Sequence, residues 1–276
     1  MEKNLDISVI SPVFNELENL ETFVESVTVV MNSTNMSWEL IIVDDGSNDG
    51  SSKILKKIGH QENIRSILLS KNYGQTTAIQ AGFDNAVGKY FVTLDSDLQN
   101  DPKDIPTLIQ KLINEELDLV VGWRKDRKDN YFFRNLPSIL ANKLIGTITG
   151  VRLHDYGCSL KAYRAEVLKE VKLYGEMHRF IPAWMATKIP ASKISEIEVT
   201  HHPRIAGESK YGISRTFRVF VDLISVYFFM RFFSRPGHFF GLIGLLLSSL
   251  GALILIYLIS LKLLYGFDIG DRPLLI

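Results

Sequence analysis

Two carboxylates stand one residue apart in the stretch LDSDLQ, residues 94 to 99, where Asp95 and Asp97 are followed by the amide Gln99. In an extended backbone, residues two apart project to the same side, so this spacing predicts three oxygen donors that face one way. Mg²⁺ or Mn²⁺ prefers oxygen ligands and completes its shell with waters and substrate phosphates, so an open pair of acids suits it. The stretch therefore predicts a divalent cation site. An acidic turn before the next helix is the alternative that the stretch by itself leaves open.

Polar groups that suit phosphate or ribose also follow three other apolar runs. They are PVFNE (12 to 16), VDDGS with Asp44 and Asp45, and SKNYGQ with Lys71 and Gly74. The sequence has no GxGxxG fingerprint, and GFDNAVGKY (82 to 90) departs from a P-loop because Tyr follows its lysine. A nucleotide would therefore be held by a metal and by side chains.

Five short runs that are rich in β-branched or aromatic residues and bounded by turn residues predict the strands that carry these groups. The runs are residues 6 to 11, 39 to 44, 65 to 70, 89 to 95 and 117 to 122. Asn15 as N-cap and Glu18 three residues later predict a helix after the first run, and residues 75 to 87 and 103 to 115 are also predicted to be helical. This alternation predicts an α/β fold with a mostly parallel sheet, whose ligands bind at the carboxyl ends of the strands.

Composition limits the classes of function. The 276 residues are 46% hydrophobic, which is enough for a packed core, and 31 basic residues balance 31 acidic ones. A molecule without net charge has no overall field that would gather nucleic acid, so no nucleic-acid partner is expected. A single cysteine, Cys158, excludes an internal disulfide. The N-terminus lacks a signal-peptide pattern, so the N-terminal part is expected to stay in the cytoplasm.

The C-terminal part has the composition of a membrane anchor. Residues 236 to 261 contain no charged side chain, and a helix over residues 239 to 261 would be about 35 Å long, enough to cross a hydrocarbon layer of about 30 Å. Arginines precede this segment, which by the positive-inside rule predicts a cytoplasmic N-terminal domain at the cell membrane. They are Arg215, Arg218, Arg231 and Arg235. The predicted parts are a cytoplasmic α/β domain over residues 1 to 212, interfacial amphipathic helices over 213 to 235, and a transmembrane segment over 236 to 276.

The ordered set of motifs resembles the family 2 glycosyltransferases of GT-A fold, a Rossmann-like α/β fold, and among them the polyprenyl-phosphate glycosyltransferases related to dolichyl-phosphate mannose synthases. The resemblance covers nearly the whole chain. It is carried by PVFNE, VDDGS, SKNYGQ, LDSDLQ, DYGCSLKAY (155 to 163), HRFIP (178 to 182) and RIAGESKYG (204 to 212). The family has two membrane helices where this chain shows one, so a second span is expected to be truncated.

The resemblance implies a role for each motif residue. For the nucleotide-sugar donor it implies Pro12, Phe14, Glu16, Asp44, Asp45, Lys71, Gly74, Asp95, Arg204 and Lys210. For the metal it implies Asp95, Asp97 and Gln99, with Mg²⁺ or Mn²⁺ as cofactor, and for the acceptor phosphate Arg124, Arg134, Ser138 and Ser209. Asp97 and Asp155 are the implied catalytic residues; an Asx turn before Gly157 is the alternative for Asp155. For the arginines, a solvated basic loop is the alternative.

The reaction that the resemblance implies is an inverting transfer of a sugar from a UDP- or GDP-linked donor to a membrane polyprenyl phosphate, either undecaprenyl or dolichyl. A lipid phosphate is largely ionised at neutral pH because its second pKa is near ~6, so it needs no strong base. Two other functions stay open, a processive polysaccharide synthase and a non-catalytic membrane-anchored binding protein. The first would usually show QxxRW, which is not in this sequence. The sugar is not determined, and a homo-oligomer is left open.

Overall fold

A computed structural model describes residues 5–125, 145–147, 150–173, 175, 177–203, 224–225, 227–228, 232 and 235–266. The chain divides into two compact units, one from Met1 to Val226 and one from Tyr227 to Ile276. The first unit contains the sheet and the candidate active site, and the second contains one long helix.

The first unit is built on a seven-stranded sheet with the strand order β3-β2-β1-β4-β6-β5-β7. The strands are β1 (Ile7–Val13), β2 (Trp38–Asp44), β3 (Ile64–Leu68), β4 (Tyr90–Thr93), β5 (Leu119–Trp123), β6 (Lys161–Arg164) and β7 (Ile194–Glu198). The first five confirm the strands predicted from the sequence. Strands β6 and β7 were not predicted, because KAYR and ISEIE are short and interrupted by charged residues.

Strand direction decides which residues reach the site. β1 is parallel to β2 and β4, β2 is parallel to β3, and β5 is parallel to β7. β6 runs antiparallel between β4 and β5, with Lys161 opposite Thr93 and Val121. An antiparallel strand begins where its parallel neighbours end. The start of β6 therefore lies at the same edge of the sheet as the ends of β4 and β5.

The helices of the first unit cover both faces of the sheet. Those whose bounds lie within the described residues are α1 (Leu17–Asn32), α2 (Ser51–Ile58), α3 (Gln75–Asn85), α4 (Ile105–Asn114), α5 (Ala165–Leu168) and α6 (Ile181–Met185), with short 3₁₀ turns at Pro102–Asp104, Met177–Phe180 and Ala191–Lys193. The predicted helices at 75 to 87 and 103 to 115 are confirmed, with ends that differ by a few residues.

The start of α1 differs from the prediction. Asn15 is not the N-cap: the helix begins at Leu17, and Asn15 has a left-handed backbone with φ of 54°. The Asn15 side-chain oxygen accepts from the Asn48 N–H at 2.9 Å, while the Leu17 N–H donates to Asp49 at 3.0 Å. The first helical N–H is thus satisfied by the loop after β2, which local spacing does not reveal.

The core is organised around the two faces of the sheet. On one face, α1, α2 and α4 bury an apolar cluster that includes Phe23, Leu55 and Leu108. On the other, α3 lies against β1 so closely that a Cβ on Gly82 would stand 2.3 Å from Ile10. Full burial of one such side chain is worth about 1.5–3 kcal/mol. These contacts fix the strand ends from which the polar loops emerge.

The second unit contains α7 (Pro236–Tyr265), which is 30 residues long and is apolar and long enough to cross a membrane. In this helix only Leu258 is buried. A helix that is apolar on all sides needs an apolar environment around it.

Candidate active site

The two acids after β2 hold neighbouring loops. Asp44 accepts from the Ser47 N–H at 3.0 Å and from the Ser52 hydroxyl. Asp45 accepts from the backbone N–H groups of Tyr73 at 2.7 Å and Gly74 at 2.9 Å. Burial raises the pKa of Asp45, and the two N–H donors oppose that rise because they stabilise the charged form. The loop after β2 is thereby tied to the loop that starts α3.

These two loops touch through their backbones at Gly46. Gly46 has φ of +72°, and a Cβ there would stand 2.3 Å from the carbonyl carbon of Lys71. Only a residue without a side chain fits, both for conformation and for space. The Lys71 ammonium lies 5.2 Å from the centre of the Tyr73 ring, and Gly74 turns the chain into α3 with φ of 96°.

The end of β1 presents three side chains of the predicted donor set. Pro12, Phe14 and Glu16 are all partly exposed. The Glu16 carboxylate accepts from the Asn19 side chain at 2.8 Å, and the Glu16 N–H donates to Ser51 at 3.3 Å. The loops after β1, β2 and β3 are therefore joined by hydrogen bonds into one rim at the carboxyl edge of the sheet.

The LDSDLQ segment has a different backbone from the prediction. β4 ends at Thr93, not at Asp95, and the chain then makes a turn in which Leu98 is left-handed with φ of 58°. The Asp97 carboxylate accepts from the Gln99 N–H at 3.2 Å, as in an Asx turn. The predicted extended alignment of three oxygen donors is wrong, because the turn and not the strand pleat sets their directions.

Asp95 and Asp97 are nevertheless close enough to interact. Burial raises the pKa of Asp95 to about 6, and the neighbouring Asp97 carboxylate acts in the same direction. The Gln75 side chain donates to the Asp95 carboxylate at 2.8 Å. Gln75 was not among the predicted site residues; its position at the start of α3, after SKNYG, is the signal that the sequence offered.

The donor set of this turn fits an open cation site. The described part of the chain has no group of three or more His, Cys, Asp or Glu side chains that could form a closed metal cage. Two acids and the amide of Gln99, at an edge where ligands enter, suit a hard cation that takes most of its shell from water and phosphate.

Asp155 and Arg124 form a two-point ion pair. Arg124 Nε donates to one carboxylate oxygen at 2.7 Å and its terminal nitrogen donates to the other at 3.0 Å. The Arg124 side chain is 12% exposed and the Asp155 side chain is 7% exposed. Asp155 also accepts from the Gly157 N–H at 3.0 Å, so the Asx turn that was the alternative for this residue is present together with the ion pair. Arg124, which was predicted to face an acceptor phosphate, uses its Nε and one terminal nitrogen in this pair.

Lys161 adds a second buried cation that the sequence did not single out. It is 3% exposed, and its ammonium donates to the carbonyl oxygen of Cys158. Burial lowers the pKa of Lys161, whereas the carboxylates of Asp155 and Asp95 act in the opposite direction. Two acids and two cations thus form one charge cluster of Asp95, Asp155, Arg124 and Lys161 beneath the site.

His178 connects the HRFIP stretch to α3. Its Nδ1 lies 2.7 Å from the Thr76 hydroxyl, one residue after Gln75. Burial lowers the pKa of His178 to about 3, and the positive charges of Arg179 and Lys161 act in the same direction. The imidazole is therefore neutral at neutral pH and serves as a packing and hydrogen-bonding group.

Five predicted residues lie outside the described residues. They are Arg134 and Ser138, in the range 126–144, and Arg204, Ser209 and Lys210, in the range 204–223. The other predicted residues lie at the carboxyl edge of the sheet, in loops tied together by the bonds above. This edge combines the acid pair Asp95 and Asp97, which is suited to a cation, with a third acid, Asp155, which is paired with Arg124.

The chain matches the model of glycosyl transferase family 2 over residues 8–172. It is 56% identical over 275 residues to a dodecaprenyl-phosphate galacturonate synthase of Rhizobium johnstonii, an alignment that covers 99% of this chain and 81% of the relative. It is 35% identical to an undecaprenyl-phosphate 4-deoxy-4-formamido-L-arabinose transferase of Aeromonas hydrophila, with 95% and 78% covered.

Solved structures show the same fold. Glucosyl-3-phosphoglycerate synthase of Mycobacterium tuberculosis in complex with uridine diphosphate superposes with a TM-score of 0.62 at 20% identity, covering 81% of this chain and 80% of that one. The same enzyme with Mn²⁺, uridine diphosphate and glucosyl-3-phosphoglycerate has a TM-score of 0.60 at 18% identity, with 82% and 80% covered. The chain belongs to glycosyl transferase family 2 and is a glycosyltransferase of GT-A-like fold.

Proposed function

We propose that this enzyme transfers a sugar, with inversion, from a nucleotide-sugar donor to a polyprenyl phosphate in the membrane. The geometric observation that carries the proposal is the shielded two-point pair of Arg124 with Asp155, and the positive charges of Lys161 and Arg124 also lower the pKa of the cation-side acid Asp95 against the rise caused by its burial. Donor diphosphate and acceptor would meet across this charge cluster. The names of the relatives support the acceptor, since two of them are polyprenyl-phosphate sugar enzymes.

The rim formed by the loops after β1, β2 and β3 is the proposed donor site. Pro12, Phe14 and Glu16 would contact the nucleoside from one side, and Asp44, Asp45, Lys71 and Gly74 would line the other, with Arg204 and Lys210 closing over it. A uridine nucleotide is favoured over a guanosine one, because the structural neighbours bind uridine diphosphate.

Asp95, Asp97 and Gln99 would hold Mg²⁺ or Mn²⁺ together with the donor diphosphate. When bound, such an ion stabilises the negative charge that develops on the leaving diphosphate. Gln75 fixes the direction of the Asp95 carboxylate, and the turn closed by Asp97 keeps the second acid beside it. The presence of Mn²⁺ in a structural neighbour supports a divalent ion without choosing between the two.

Asp155 would orient the acceptor phosphate and would not repel it. An isolated carboxylate beside a phosphate dianion would raise its energy, but Asp155 is neutralised by a two-point pair with Arg124. The phosphate is already ionised near neutral pH and attacks without a strong base. Arg134, Ser138 and Ser209 would add the positive charge and hydrogen bonds that hold it.

The long apolar helix α7 would confine enzyme and lipid acceptor to one membrane. Its N-terminal side follows Arg235, and arginines are retained on the cytoplasmic side of membranes, so the catalytic unit would face the cytoplasm. Protection of an N-terminal tag from external protease in intact cells checks this orientation, and cleavage of the tag would contradict it.

The deciding experiment is transfer by the purified full chain in detergent. Radiolabelled nucleotide sugars, beginning with a galacturonic acid donor, are offered with dodecaprenyl or undecaprenyl phosphate and a divalent cation. The expected product is a lipid-phosphate sugar. Unphosphorylated dodecaprenol tests the need for the phosphate, and phosphoglyceric acid tests a soluble phosphate acceptor. Transfer to either control but not to the lipid phosphate, or no transfer with any donor, would contradict the proposal.

A further inference from the structure

Immediately beside the Arg124–Asp155 pair lies a second pair of side chains with the same sequence offset. Trp123 and His154 each precede one partner of the ion pair, and their rings stack with centroids 4.3 Å apart and planes 19° apart. Adjacent residues in extended segments point in opposite directions. The segment at residues 123–124 is therefore joined to the segment at residues 154–155 twice. Arg124 forms an ion pair with Asp155, and Trp123 stacks on His154.

The stacked ring is itself held by Glu196. The His154 backbone N–H donates to one Glu196 carboxylate oxygen at 2.8 Å, and His154 Nδ1 is paired with the other. Glu196 lies on β7 opposite Val121 of β5, so the rigid sheet is its base. Its side chain is 18% exposed, whereas that of His154 is 64% exposed. The Glu196 carboxylate is thus largely shielded from solvent, although the His154 ring that it holds is exposed.

Asp155 needs such support because it does not lie on a regular element. Residues 151–160 precede β6 as loop and turn, with the Tyr156 hydroxyl donating to the Val151 carbonyl at 2.5 Å. That bond holds the segment to itself and not to the sheet. The Arg124 and Glu196 contacts join residues 155 and 154 to the end of β5 and to β7.

We propose that Trp123, His154 and Glu196 form a clamp that positions Asp155, and that they are positioning residues for sugar transfer. The inference rests on the proposed function in one respect, that Asp155 faces the acceptor. A displacement of about 1 Å at a reacting group can lower the rate about a hundredfold, so a clamp acts on turnover more than on substrate affinity. The donor rim, which is built from other loops, should be unaffected.

Strand β7 offers a matched control. Glu198, two residues after Glu196, pairs with Lys125 at 2.6 Å, and both side chains are more than half exposed. The Lys125 ammonium also lies 5.5 Å from the centre of the Trp123 ring, but Glu198→Ala leaves Lys125, the Trp123–His154 stack and the Glu196 contacts in the chain. Glu196→Ala and Glu198→Ala therefore remove the same group from the same strand. Glu196→Gln keeps an oxygen acceptor for the His154 N–H, and His154→Phe keeps a stacking ring while losing the bond from Nδ1.

The first measurement is steady-state transfer with both substrates varied. Glu196→Ala is expected to lower kcat about tenfold or more with the KM of the nucleotide sugar within about twofold of wild type, as for a lost positioning contact. Glu196→Gln and His154→Phe should lie between that variant and wild type, and Glu198→Ala should match wild type. Equal kcat values for Glu196→Ala and Glu198→Ala would overturn the clamp.

The second measurement does not depend on activity. Amide hydrogen exchange of the peptide that spans residues 151–160 should be faster in Glu196→Ala than in wild type and unchanged in Glu198→Ala. Unchanged exchange in Glu196→Ala would overturn the clamp even if transfer falls. If wild type transfers no sugar to any acceptor, the proposed function fails, whereas the exchange comparison still decides the clamp.

Discussion

At the scale of single residues, three acids at the site are held by donors from elsewhere in the chain. Asp45 is held by two backbone N–H groups, Asp95 by the Gln75 amide, and Asp155 by Arg124. A buried carboxylate without donors would become protonated or destabilise the fold, so these partners keep the acids ionised and aimed. Substitution of a donor should therefore change the affinity of its acid for the ligand that the acid binds.

Gln75→Ala is expected to weaken the divalent cation site. Without the amide donor at 2.8 Å, the Asp95 carboxylate loses its fixed direction, and loss of a supporting contact to a metal ligand costs about 10- to 100-fold in metal affinity. The cation concentration for half-maximal activity should rise by that factor. Thr77→Ala, an exposed change two residues further along α3, is the control. A cation curve for Gln75→Ala that overlies that of Thr77→Ala would contradict the assignment of Gln75.

At the scale of elements, the site is made by loops that are fastened to one another at strand ends. The loop after β2 fits against the loop after β3 without space for a side chain at Gly46. The HRFIP turn is fastened to the start of α3 through His178 and Thr76. The first turn of α3 thus contacts two other segments of the site. Thr76 bonds to His178, and Gln75 bonds to Asp95.

Gly46→Ala is expected to displace the loop at residues 71–74 and to weaken nucleotide-sugar binding. Gly50→Ala is the matched control, because Gly50 also has a positive φ, of +106°, but a Cβ there would meet Leu17 at an ordinary 3.6 Å. Both variants carry the left-handed strain of about 1–2 kcal/mol, and only Gly46→Ala adds a backbone clash. The KM for the nucleotide sugar should rise about tenfold in Gly46→Ala alone. Equal KM values in the two variants would show that the loop contact is not required.

His178 is expected to make the catalytic unit less stable in acid. The folded protein keeps the imidazole neutral down to a pKa of about 3, whereas the unfolded chain takes up a proton near 6.5. Protons therefore favour the unfolded chain as pH falls from 6.5 towards 3, by about 1.4 kcal/mol for each pH unit. His178→Asn removes this loss while offering a polar group to Thr76.

Urea unfolding of the full chain in a non-ionic detergent at a series of pH values measures this effect. Between pH 6 and pH 4, the free energy of unfolding should fall less steeply for His178→Asn than for wild type. His60→Asn, at an exposed histidine, should have the wild-type slope. The same slope for wild type and His178→Asn would contradict an imidazole that stays neutral in the folded protein.

At the scale of the whole molecule, an α/β unit is followed by an apolar helix of 30 residues in which one side chain, that of Leu258, is buried. The balance of 31 basic and 31 acidic residues gives the chain no net charge with which to bind an anionic surface. Attachment to a membrane would therefore depend on burial of the apolar side chains of α7 in lipid.

Leu250→Arg is expected to reduce membrane integration. Leu250 is near the middle of the uncharged segment, where an arginine costs about 2.5–3.5 kcal/mol on insertion scales. Leu264→Arg introduces the same charge near the end of α7, close to Lys262, where it can reach the interface. Alkaline extraction of membranes should release more of the Leu250→Arg protein than of the Leu264→Arg protein. Equal retention of both variants would contradict a spanning helix.

The sequence by itself determined the features that local pattern encodes. Runs of β-branched residues marked β1 to β5, the polar stretches after them marked the edge where ligands bind, and the uncharged segment marked α7. The ordered motifs were sufficient to identify the glycosyltransferase family. These features follow from short-range periodicity and from residue types, which do not depend on contacts between residues that are distant in the sequence.

The tertiary structure alone decided which groups meet. Arg124 and Asp155 are 31 residues apart, and Gln75 and Asp95 are 20 apart, so no local spacing shows that they bond. Lys161 enters the site because β6 is antiparallel and starts at the edge where β4 and β5 end, a direction that four residues do not encode. The turn at Leu98 replaced the extended geometry predicted for LDSDLQ because residues after β4 no longer have a strand partner on which to continue the pleat. Partner choice is a long-range property, set by topology and burial, and these are fixed only when the sheet is assembled.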